Sequence, residues 1–95
     1  MFVVLLEYVK PLEEVEKHLS AHRKWVDENY AAGRFVVSGP RVPRTGGVIV
    51  ARVESRATLD AELAKDPFWI HGIAKFEVVE FLPNRMEPRL FGHLG

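Results

Sequence analysis

The run FVVLLEYV at residues 2–9 constrains this chain more than any other stretch. Side chains on a strand alternate between faces, and here both sets are apolar: Phe2, Val4, Leu6 and Tyr8 against Val3, Leu5 and Val9. Lys10 and Pro11 bound the run, so it reads as a strand buried on both faces. Pro11 then suits the first turn of a helix, and Glu13, Glu14 and Glu16 put negative charge near its positive end. That helix is predicted to reach about Ala32 and to stop at Gly33. FVVS at 35–38 is a second strand, ended by Gly39 and Pro40, and RVPRTGG is a loop. VIVARV at 48–53 is a third strand, and Ser55 is the N-cap of a helix through about Lys65. Pro67 makes Asp66 the end of regular helix, and IAKFEVVEFL from Ile73 is the fourth strand.

The order βαββαβ with right-handed crossovers is an α+β, ferredoxin-like sandwich: a four-stranded antiparallel sheet with two helices on one face. Two helices can cover only that face. In the fourth strand too, Phe76, Val78 and Leu82 alternate with Val79 and Phe81, so an apolar face is left over. A homodimer formed through the sheet faces is the expected way to bury it.

Ninety-five residues make one domain, residues 1–95, with a core over 1–82 and a tail over 83–95 that has two prolines and little periodicity. Thirteen basic residues balance thirteen acidic ones, which argues against a nucleic-acid partner held through phosphates. GGVIVARV also lacks the aromatic pattern of an RNA-binding ferredoxin-like strand. There is no cysteine, which excludes disulfides, thiol nucleophiles and thiolate metal sites. FVVLLEYV has neither the basic flank nor the cleavage site of a secretory signal, and no run approaches a membrane span. A cytoplasmic protein without a membrane partner is expected.

One polar residue interrupts an apolar pattern. Leu12, Val15, Leu19, His22 and Val26 share a helix face, and a histidine stands where a core residue belongs. A core-edge histidine bonded to a carbonyl is the bland alternative; a base lining a pocket is the functional one. Asp66 could close a turn before Pro67 or accept the Nδ1 proton of a histidine from the neighbouring helix. Ser38, Gly39 and Pro40 could be a plain strand-ending turn or a pocket edge. His18 and His22, four apart, could share a metal with Asp66 and His71, but His18 lies off the apolar stripe and a metal is not expected. Trp25, Phe68 and Trp69 read first as packing residues and second as walls of a small apolar pocket around His22, with Trp25 and Phe68 the ones expected to touch a substrate.

Taken in order, HRKWVDENYAAGRFVVSGP followed by KDPF resembles the YciI-like (YCII-related) family, relatives of muconolactone isomerase in the dimeric α+β barrel group. The resemblance spans residues 1 to about 82. It implies a dimer of ferredoxin-like subunits, a histidine–aspartate pair at His22 and Asp66, and a pocket serine at Ser38. Members with assigned activity include a dehydrochlorinase of a chlorinated hydroxyquinol. Two features depart from the family pattern: Leu19 stands where members often carry arginine, and the loop after SGP is short and basic, with Arg41 and Arg44.

The leading expectation is a cofactor-free enzyme that moves protons on a small organic anion by isomerisation or elimination. His22 is its base or acid, Asp66 orients that ring, and Ser38 with the amides beside Gly39 meets a developing oxyanion, Gly39 and Pro40 bordering the bound substrate. Arg41 or Arg44 holds a carboxylate. The alternative is a non-catalytic binding or accessory module in which the same pocket holds a metabolite.

Overall fold

The doubly apolar first run lies in the middle of the sheet. In the computed structural model, which describes residues 1–91, β1 (Phe2–Tyr8) pairs antiparallel with β3 (Gly46–Ala51) on one side and with β4 (Ala74–Glu80) on the other. β2 (Phe35–Pro40) completes the sheet beside β3, giving the order β2-β3-β1-β4. Helices α1 (Leu12–Ala31) and α2 (Arg56–Leu63) supply the two crossovers of the ferredoxin-like sandwich. Gly33, at φ +75°, lets the chain leave α1 in the left-handed region.

The two phases of β1 separate cleanly. Phe2, Val4 and Leu6 are buried and join Val15 and Trp25 of α1 and Leu59 and Leu63 of α2 in one core. Each such side chain contributes about 1.5–3 kcal/mol on burial. Val3 and Leu5 point the other way, in register with Val50, Val48 and Val79, and Val37 of β2 pairs with Val50. On that face Val37 and Val79 remain about half exposed, at 51% and 46%. Close approach of β1 and β3 needs a glycine at one point: a Cβ on Gly46 would collide with the Leu6 carbonyl.

Local rules misplace several boundaries. Ser55 does cap α2, its hydroxyl accepting from the Thr58 amide at 3.1 Å, but the helix ends at Leu63 rather than Lys65. Asp66 is the start of something rather than an end: it is the N-cap of a separate turn, α3 (Pro67–Ile70), with Pro67 in its first position. β2 continues through Gly39 and Pro40, because an edge strand tolerates a residue without an N–H. β3 begins at Gly46 and ends at Ala51, where 48–53 was expected. The segment after β4, expected to be irregular, contains a four-residue helix, α4 (Pro88–Phe91); the last four residues of that tail lie outside the described ones.

β2 also contains a bulge. Phe35 pairs with Ala51, but Val37, not Val36, pairs with Val50, so one extra residue is inserted and the alternation changes phase. Ser38, opposite Ile49, is thereby turned to the helix-covered side.

Candidate functional site

His22 occupies the α1 stripe between Leu19 and Val26, both of which pack against the core. Its ring lies flat on Phe68, with centroids 4.0 Å apart and planes 6° from parallel, and Trp25 is 5.8 Å away. The side chain is only 15% exposed. Nδ1 is 2.8 Å from the Asp66 Oδ1 atom, while Nε2 has no hydrogen-bond partner among the described residues.

Asp66 is fully buried. Its Oδ1 also accepts from the Phe68 amide at 3.0 Å, so the atom that caps α3 is the one that holds the histidine. The two readings of Asp66, turn closure and histidine partner, are therefore both present in the geometry. Oδ2 is buried without a partner among the described residues. With the carboxylate as acceptor, Nδ1 carries its proton and the neutral ring presents a lone pair at Nε2.

The ring lines a cleft of about 570 Å³ between α1 and the sheet, within the range of small-molecule sites. Ser38, Gly39 and Pro40 form its β2 wall, and Gly46 and Gly47 lie along β3. A Cβ on Gly39 would meet nothing within 4 Å, so this glycine leaves open space rather than admitting a neighbouring backbone. Ser38 Oγ is 2.7 Å from the Tyr30 hydroxyl, which reaches over from the last turn of α1.

The other expected site residues are placed differently. Arg44 lines the cleft, but its Nη1 is 2.7 Å from Glu16 Oε1. The hydrogen bond to Glu16 holds the guanidinium above its usual basicity, against a smaller opposing effect of burial, with Glu16's charge and a hydrogen bond to Tyr8 adding to the rise. Arg41 is not among the lining residues. Phe68 backs the ring instead of facing the cleft, and Trp25 lines a second cleft while donating its Nε1 proton to the Glu62 carbonyl at 3.0 Å. His18 stacks on His71 at 4.2 Å, and among the described residues no group of three or more His, Asp and Glu side chains is placed to hold a metal.

Arg23 and Tyr30 are among the residues at the site that the sequence did not single out. Arg23 borders the cleft and makes no ion pair or hydrogen bond among the described residues. It lies off the apolar stripe, so periodicity passes over it. Tyr30 continues the steps of four from His22 through Val26, a signal that was available.

No curated protein matches the chain. Among solved structures it is similar to 5-chloro-2-hydroxyhydroquinone dehydrochlorinase (TftG) of Burkholderia phenoliruptrix AC1100, in complex with 2,5-dihydroxybenzoquinone. The two superpose with a TM-score of 0.72 at 19% identity, over 86% of this chain and 94% of that one, which is a likeness of fold. The YCII-related domain model matches residues 1–82, and the chain belongs to that family.

Proposed function

We propose that this chain is a small acid–base enzyme whose cleft takes a small organic anion and moves protons on it, by isomerisation or elimination. The observation that carries this reading is the His22–Asp66 pair at 2.8 Å, with Nε2 left without a partner on the lining of a cleft. Nε2 takes a proton from a carbon next to a carbonyl, and the electron pair passes onto the carbonyl oxygen. The Ser38 hydroxyl meets that oxygen. The imidazolium, its Nδ1–H held by Asp66, then returns the proton to another atom, or a leaving anion departs. No cofactor is needed for either step. Arg23, cationic and unpaired on the same cleft, holds the substrate's negative charge in place of Arg44, which Glu16 and Tyr8 already engage. The ligand of the dehydrochlorinase of similar fold, 2,5-dihydroxybenzoquinone, is a probe of this class.

In D2O, wild-type protein should bind that quinone and speed exchange of its ring hydrogens, followed by proton NMR, while His22→Gln should not speed it. Binding without exchange would instead favour the binding-module reading. No binding at all would remove the cleft as a site.

The half-exposed valines of the open sheet face support pairing with a second copy through that face. Leu5→Glu should lower the mass measured by light scattering while leaving the circular dichroism spectrum intact. Leu6→Glu, on the buried phase, should unfold the subunit. A wild-type chain that is monomeric at high micromolar concentration would end this part of the proposal.

A further inference from the structure

We infer that Tyr30 is a positioning residue for Ser38: its phenol fixes the serine hydroxyl as a hydrogen-bond donor into the cleft. The inference rests on the reading of that cleft as a site for a small anion.

A serine hydroxyl rotates, and by itself it can donate or accept with similar ease. Here its oxygen lies 2.7 Å from the Tyr30 hydroxyl, the usual distance of a well-formed hydrogen bond between two hydroxyls. Of the two, a phenol is much the stronger acid, so it is the better donor and the serine oxygen the better acceptor. With one lone pair of Oγ engaged by Tyr30, the serine proton is left to turn away from the phenol. Ser38 is on the cleft wall, opposite Ile49 in the register, so the cleft is where that proton has an unfilled acceptor position. A donor already aligned before the ligand arrives loses less freedom on binding, and hydrogen bonds in series strengthen one another.

Tyr30 is itself held. Its ring meets Phe35 edge-on, with centroids 6.0 Å apart and planes at 88°, and Phe35 is buried at the start of β2. Tyr30→Phe keeps this packing and removes only the hydroxyl, which makes it the right probe. Tyr30 is absent from the cleft lining, so its effect on a ligand has to pass through Ser38.

A double-mutant cycle separates this from a structural role. Dissociation constants for 2,5-dihydroxybenzoquinone are measured by equilibrium dialysis for wild type, Tyr30→Phe, Ser38→Ala and the double variant, with thermal unfolding of each. The expected result is a loss of roughly three- to tenfold for each single variant. Tyr30→Phe in the Ser38→Ala background should then change binding by less than about twofold, with melting temperatures close to wild type. If Tyr30→Phe is silent in wild type, or costs as much without Ser38 as with it, the positioning role is wrong while the site stands. If Ser38→Ala binds as well as wild type, the serine is not a ligand contact and the positioning role falls while the cleft stands; if wild type does not bind, the reading of the cleft falls and this inference with it.

Discussion

Helix α1 runs between two clefts that differ in what their polar groups are doing. On one side, a cleft of about 310 Å³ is lined by Trp25, Asn29, Arg34, Glu62 and Lys65, among others. Its deepest polar residue, Asn29, is buried and used at both ends, donating to the Trp25 carbonyl at 2.9 Å and accepting from Arg34 Nε at 2.7 Å. Glu62 ties in Lys65 at 3.0 Å and Arg34 at 3.6 Å, and only Lys24 and Glu28, both exposed, stand apart. On the other side, His22 uses one nitrogen inward and leaves the other open, and Arg23 and Asp27 have no partners among the described residues. A depression whose buried polar groups satisfy one another is a joint between elements. One that leaves a positioned group open has capacity for something that is not part of the chain.

Three substitutions test that division. Asp66→Ala is the case in which the two kinds of role coincide, because one oxygen both caps α3 and orients His22. It should cost about 3 kcal/mol, by unfolding in urea, and also abolish binding of the quinone. Retained binding at wild-type strength would show that the ring does not depend on this carboxylate. Asn29→Ala should cost about 2 kcal/mol, roughly 10 °C in a domain of this size, with quinone affinity unchanged within about twofold. A large loss of affinity would mean that the two clefts are not separate in function. Arg23→Gln should do the reverse: an unchanged melting temperature, and affinity lowered about fivefold at low salt and less at high salt, as expected for an exposed charge. Equal affinities for both forms at low ionic strength would return the anion to Arg44 or to no cation at all.

Much of the fold was legible because the first strand is apolar in both phases, which demands a central position, and because the α1 stripe is regular. Within the candidate site, His22 stood out as the wrong residue type for its face, and Ser38 and Asp66 through short ordered motifs beside glycine and proline. What could not be read depended on contacts across the chain. Local spacing does not tell that Arg44 will meet Glu16, nor that Arg41, three residues earlier, will face elsewhere. The dual use of Asp66 Oδ1 was hidden because Pro67 signals a break and not the new turn that follows it. Tyr30 was passed over because its partner is a strand residue eight positions on, beyond a glycine turn.

The bulge in β2 bears on how chains of this kind are compared with one another. Side-chain direction along a strand is a matter of counting, and Val36 makes the count from Phe35 to Ser38 one longer than regular alternation allows. A relative could keep SGP and the same spacing letter for letter, pair that strand without the bulge, and present the same serine to the opposite surface, out of reach of any group corresponding to Tyr30. Transfer of this site between sequences therefore depends on the bulge, or on a spacing one residue shorter in its place, as much as on the serine itself.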